Sequence, residues 1–251
     1  MMKSQPKRLS PPSTQSGFTI IESLLAILIV TALLIGIAPV ITLSVATRLQ
    51  ARRVEQATQA ARTYIDGVRS RKIDPPDHLR PLAEVQVDPN TGDKTFVPRI
   101  GAFSAIYAPG RGSANANCNA ATYCRNQANL SLYCADFDGS GACENSSVSD
   151  LIVQAFRSTI ADPGNPTVAL DPTDDGSKGF LLGIRVYRAA AFNGEPEELL
   201  TTQDTGGKKV ATNTAGTGSM RLPLVEMTTE VGGTTDSPYN GLCQRLGGCK
   251  Q

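Results

Sequence analysis

The residues of this chain whose types could do chemistry fall into four groups. The first is a single carboxylate, Glu22, the only charge in a near-continuous apolar run from Phe18 to Val45. An ionised group deep in an apolar helix costs about 3 kcal/mol, and residues kept there at that cost are functional by default. The second group is six cysteines: Cys118, Cys124, Cys134, Cys143, Cys243 and Cys249. Disulfides and a metal site compete for them. Zinc centres favour short C-x2-C pairs with histidine partners. The first four cysteines here are spaced C-x5-C, C-x9-C and C-x8-C, and the chain has one histidine. Zinc is therefore disfavoured. The third group is that lone histidine, His78, in a Pro-rich turn, where a solvated loop is the expected setting and acid–base work is not.

The fourth group is the run Asp136-Phe137-Asp138-Gly139-Ser140-Gly141. It sets side-chain oxygens at alternate positions with glycine at the sixth, as the start of a calcium loop does. The ligands would be Asp136, Asp138, Ser140 and Glu144. The twelfth place is Ser147 where such loops carry Glu. The favoured reading is an Asp/Gly turn strapped between Cys134 and Cys143, so no cofactor is expected and calcium is the alternative.

These groups need elements to hold them. The apolar run would be about 40 Å long as a helix, against about 20 residues needed to cross a bilayer core. A cleaved secretory signal is too short to match it, even with Lys3, Lys7 and Arg8 before it. Gly36 and Pro39 are expected to interrupt the helix, because proline removes a backbone donor. Beyond the run, Val45, Leu49, Ala57, Ala61, Tyr64 and Val68 recur at three- and four-residue intervals. This predicts one helix to about Arg71, stopped by Asp74-Pro75-Pro76-Asp77. Ala83–Val87 and Thr95–Ile100 flank a turn and predict a hairpin. Residues 108–147 read as irregular. Leu151, Ile152, Ala155, Phe156 and Thr159 sit at helical spacing, predicting a helix over Asp150–Ile160. Phe180–Tyr187 and Leu222–Val231 predict central antiparallel strands, with a polar loop, Gly194–Ser219, between them.

The chain of 251 residues has 24 basic and 23 acidic side chains and no tryptophan. This balance gives no footing for bulk nucleic-acid binding. Abundant Gly and Pro suit a loop-rich extracytoplasmic domain better than a compact enzyme. No phosphate-binding loop, H-E-x-x-H or G-x-S-x-G is present, and the chain is not expected to be an enzyme.

The residues Gly17-Phe18-Thr19-Ile20-Ile21-Glu22, after a basic and polar leader, resemble the type IV prepilin signature. In that family a membrane peptidase cuts after the glycine, and the new first residue is methylated on its amine. The fifth residue of the cut chain is Glu, here Glu22. Pro39 falls where such proteins commonly carry a proline. The resemblance is tight over roughly residues 15–45. It implies an α+β pilin-like fold, with a long N-terminal helix packed on an antiparallel sheet head with disulfide-stapled loops. The segments would be a cleaved leader (1–17), a transmembrane and filament-core helix (18–45), its amphipathic continuation (46–73) and a globular head (74–251). Cleavage would involve Gly17 and Phe18, methylation Phe18, and assembly Glu22 and Pro39. The freed α-amino group of Phe18 is mostly cationic at neutral pH. Glu22 of a neighbouring subunit can pair with it and set register in a staggered bundle. The resemblance also implies leader-inside orientation, placing the precursor in the inner membrane with its head on the periplasmic side, then in a pilus or pseudopilus. All six cysteines would then lie in an oxidising compartment. The expected pairing joins the first four among themselves and Cys243 to Cys249.

The expected function is structural: a minor pilin or pseudopilin of a type IV pilus-like or type II secretion-like filament. Its partners would be other pilins, the prepilin peptidase and an inner-membrane assembly platform. The leader with GFTIIES, the long polar head and the Cys cluster carrying DFDGSG are similar to cyanobacterial pseudopilins of hormogonium polysaccharide secretion. That implies a part in polysaccharide secretion and gliding motility. The alternatives are a tip adhesin recognising polysaccharide or surfaces, with residues 108–147 as its surface, and a minor pilin for DNA uptake.

Overall fold

A computed structural model describes residues 19–82, 85–87, 90–91, 93–96, 106, 108–109, 118–124, 131–162, 165–169, 173, 175–193, 199–202, 204, 220–234, 239 and 243. The chain divides into two compact units, 1–47 and 48–251. Helix α1 (Ile20–Arg69) contributes to both.

In the first unit the apolar side chains of α1 are exposed, from Ile20 (81%) to Val45 (59%). The segment is long and apolar enough to cross a membrane. Most of its hydroxyls bond back to the helix's own carbonyls. Thr31 donates to the Ile27 carbonyl at 2.7 Å, Thr42 to Pro39 at 2.9 Å, and Ser23 to Ile20 at 2.8 Å. Such economy is what a hydrocarbon setting would require, since no water is there to take a polar group. The helix runs unbroken through Gly36 and Pro39, contrary to the expected interruption. Proline removes one donor, and the helix continues past that single gap.

In the second unit α1 buries Ala57, Ala60, Ala61, Tyr64, Ile65 and Val68. Their three- and one-residue steps form one stripe, and the small alanines let a neighbouring layer approach closely. The helix ends at Arg69, ahead of the proline pair. Arg71 takes a positive φ of 58°. The N–H groups of Lys72 and Ile73 then both return to the Gly67 carbonyl, at 3.0 and 3.1 Å. A Cβ at Gly67 would meet the end of the Ile73 side chain, which packs directly over that glycine.

The layer facing the stripe is a six-stranded mixed sheet. Its centre is β5 (Leu151–Asp162), which corrects the helix expected over Asp150–Ile160. Along one edge lies β7 (Phe180–Arg188), antiparallel, and beyond it β8 (Val225–Val231). The other edge of β5 carries two strands end to end. β4 (Ser131–Ala135) runs antiparallel beside Leu151–Ala155, and β1 (Leu79–Leu82) runs parallel beside Arg157–Ile160. The sheet is therefore not purely antiparallel. β4 also corrects the expectation that 108–147 is wholly irregular. β6 (Asn165–Ala169) pairs the end of β5, and β2 (Val85–Val87) with β3 (Lys94–Phe96) makes a separate hairpin where one was predicted.

The misreading of β5 has a physical cause. Every residue from Leu151 to Thr159 is buried, so the strand shows no alternation of apolar and polar residues. One face of β5 and β7, with Leu151, Val153, Ala155, Phe180, Leu182, Ile184 and Val186, joins the α1 stripe. The other, with Ile152 and Tyr187, meets Leu132, Cys134, Phe192 and Leu199. A strand with two buried faces cannot be told from a buried helix by periodicity.

Candidate functional site

Two regions hold the residues singled out by chemistry. The first is the start of α1. Thr19 caps the helix there, its hydroxyl accepting the Glu22 N–H at 3.3 Å. Glu22 is exposed in the first turn, where a carboxylate also suits the positive end of the helix dipole. Pro39 lies on the same apolar stretch. Gly17 and Phe18 lie outside the described residues.

The second region is a disulfide-bonded block beside β4. Cys118 bonds Cys124, and Cys134 bonds Cys143, with Cα separations of 4.2 and 5.7 Å. Backbone hydrogen bonds weld the two loops together. The Cys143 N–H donates to the Cys118 carbonyl at 2.8 Å, Cys124 to Leu132 at 2.7 Å, and Cys134 to Thr122 at 3.0 Å. Such short loops gain little from chain entropy. Their effect is to fix irregular backbone against the sheet. Cys243 is also oxidised, and Cys249 lies outside the described residues.

Tyrosines tie this block to α1. The Tyr123 hydroxyl donates to the Asp74 carbonyl at 2.7 Å and lies 2.6 Å from the Tyr64 hydroxyl. Tyr133 packs on both rings. Burial pushes the Tyr64 and Tyr123 hydroxyls far above their ordinary pKa, so they remain neutral donors.

Between Cys134 and Cys143 runs the acidic turn. Asp136, Asp138 and Asp150 bring carboxylate oxygens within 4.8 Å of one another. Asp136 Oδ1 accepts the Asp138 and Gly139 N–H groups, and its Oδ2 accepts that of Gly141. Asp138 accepts the Ser140 N–H and the Ser147 hydroxyl, and these bonds hold its carboxyl below the usual range. Gly139 and Gly141 have φ of 76° and 90°, which the turn requires of them. Asp150 is fully buried. Its two oxygens accept the N–H groups of Phe137 and Glu144.

The expected ligand set is thus only partly assembled. Asp136 and Asp138 meet, but Ser140 gives its hydroxyl to the Ala142 carbonyl, and exposed Glu144 accepts from Ser146. Asp150, not singled out from the sequence, takes the third place. The donors around these oxygens are those of a hydrogen-bonded turn.

His78 is not in a solvated loop. It is half-buried beside the Phe156 ring, and its carbonyl accepts the Arg157 N–H at 2.9 Å. Burial, then Arg80 and Arg185, lower its pKa. Arg185 is buried and pairs with Glu226, while its Nη1 donates to the Ile106 carbonyl at 2.8 Å.

No family profile, characterised protein or solved structure matches the chain.

Proposed function

We propose that the chain is a minor pilin or pseudopilin, a structural subunit processed at Gly17 and built into a membrane-powered filament through the first half of α1. One observation carries this reading: an apolar helix, exposed along its length from Ile20 to Val45, has an acidic residue in its first turn, directly after the Gly17-Phe18 signature. A plain anchor gains from that carboxylate only the modest helix-dipole interaction, about 0.3–1 kcal/mol. In a bundle of staggered copies it is the counter-charge for the amine that cleavage creates at Phe18. A helix continuing into a small-residue stripe over a β-sheet supports the same reading, because it gives a folded head to the filament-forming segment.

The test is Glu22→Ala. It shortens no apolar run and leaves the scissile bond intact, so insertion and cleavage are expected to survive. Removing one partner of a buried charge pair costs about 3–5 kcal/mol, so entry into filaments is expected to fall at least a hundredfold. Fractionation into membrane-held and sheared-filament pools reads this. Equal entry of mutant and wild type would overturn the pairing. We also propose polysaccharide as the cargo of the system, on the likeness of the leader and the DFDGSG cluster to polysaccharide-secretion pseudopilins. Deletion should then stop polysaccharide secretion together with filament formation. Loss of surface binding with filaments intact would assign the adhesin role instead.

A further inference from the structure

The part of α1 that lies in the second unit carries two stripes of one period. Ala57, Ala61, Tyr64 and Val68 are buried, at steps of four, three and four residues. Arg48, Arg52, Glu55, Gln59, Arg62 and Asp66 are exposed, at steps of four, three, four, three and four. That 3.5-residue period makes the second stripe a straight seam of the kind two packed helices share. None of its residues is apolar, so it suits a role in setting register, as polar seam positions do in coiled coils. Among the described residues no ion pair involves Arg48, Arg52, Glu55, Arg62 or Asp66. Within the helix each acid follows its base, Glu55 after Arg52 and Asp66 after Arg62, the less favourable order for pairing along one helix. A groove of about 500 Å³ opens on the same face, with Glu55, Gln59, Arg62 and Asp66 in its lining.

We propose that this seam is a contact surface for the same seam of a second copy of the chain, and that its charges fix the offset between the two at one heptad. In register, every charged group would meet its own kind. At an offset of seven residues, about 10 Å of helix, Arg48 meets Glu55 of the neighbour and Glu55 meets its Arg62. Arg52 and Asp66 then stand opposite Gln59. Arg62 comes level with Arg69, whose guanidinium is drawn away to the Thr229 hydroxyl and the Glu230 carbonyl on β8, at 2.6 and 3.2 Å. An antiparallel pair centred on Gln59 also opposes charges, Arg52 to Asp66 and Glu55 to Arg62. That contact is isologous and closes as a dimer, whereas a parallel offset is heterologous and propagates. The parallel sense therefore rests on the filament reading above; the complementarity of the seam to itself does not.

The experiment compares full-length variants by their share of the sheared-filament pool, beside Glu22→Ala. Glu55→Lys turns both opposed pairs into like ones and is expected to cut filament entry about tenfold or more. Arg48→Glu, Glu55→Lys and Arg62→Glu together reverse every partner and are expected to restore entry. For the geometry, Gln59→Cys and Asp66→Cys are placed in one chain and oxidised in membranes and filaments. A ladder of cross-linked chains is expected, and no cross-link from Gln59→Cys alone. Dimers from Gln59→Cys alone mark an in-register or antiparallel pair and overturn the offset. Equal entry of Glu55→Lys and wild type, or a triple reversal that restores nothing, overturns the seam, and exclusion of Glu22→Ala in the same experiment leaves the filament reading standing. A wild-type chain absent from filaments removes the filament reading, and the seam then stands or falls on the ladder in membranes.

Discussion

Asp150 accepts hydrogen bonds from two backbone N–H groups while fully buried, so its loss should be felt in folding rather than in any binding reaction. Asp150→Ala leaves the Phe137 and Glu144 N–H groups without their acceptor, and is expected to destabilise the protein by about 1–3 kcal/mol. Denaturant unfolding under non-reducing conditions measures this. The same turn is expected to give no heat with calcium up to about the millimolar range of weak extracellular sites. Saturable binding would instead make Asp136, Asp138 and Asp150 a metal site. A pH effect belongs to His78. Its pKa in the folded chain is lowered from 6.5, first by burial and then by Arg80 and Arg185. The unfolded chain therefore takes up the proton first. The stabilisation is complete above the unfolded pKa and is lost as pH falls through it towards the folded value. Wild type should lose more stability than His78→Gln between about pH 7.5 and about pH 5.5. At this scale Asp136 and Asp138 were legible because their alternation lies within one hexapeptide. Asp150 was not, since the chain folds it back from beyond the second disulfide and no local spacing marks it. Glu144 stands apart from this cluster because the turn leaves it exposed.

At the scale of elements, the α1 stripe makes a sharp demand on side-chain size. Ala57 and Ala61 are fully buried against the sheet. Ala61→Leu adds volume where none is free and is expected to cost about 1–3 kcal/mol. A leucine at neighbouring, exposed Arg62 should change stability by less than about 0.5 kcal/mol. Thermal or denaturant unfolding of the pair separates packing from helix propensity. The stripe was readable from three- and four-residue spacing, β7 and β8 from apolar, partly β-branched runs, and the hairpin from its turn. The central strand β5 was not, because burial on both faces removes the alternation that marks a strand. The parallel pairing of β1 with β5 joins segments far apart in sequence and leaves no local trace. The helix stop was placed at the prolines, whereas Gly67 and the left-handed Arg71 end it first.

For the whole molecule, the proposed function joins the apolar segment, the stapled block and the mixed sheet in one subunit that would leave the cytoplasm, oxidise its cysteines and be carried by its first helix. The bonded pairs Cys118–Cys124 and Cys134–Cys143 suit an oxidising compartment. The apolar exposure of residues 20–45 calls for lipid or sister helices as its surroundings. On the proposed reading, the step that would turn one use into the other is a cut after Gly17, creating a cation for Glu22 to answer. The most direct measurement is therefore the N-terminus of the mature chain, by intact mass and N-terminal sequencing of protein recovered from membranes and sheared filaments. The account expects a chain beginning at Phe18 with a methylated amine. A chain beginning at Met1, or at Thr47 after removal of the whole apolar run, would contradict it.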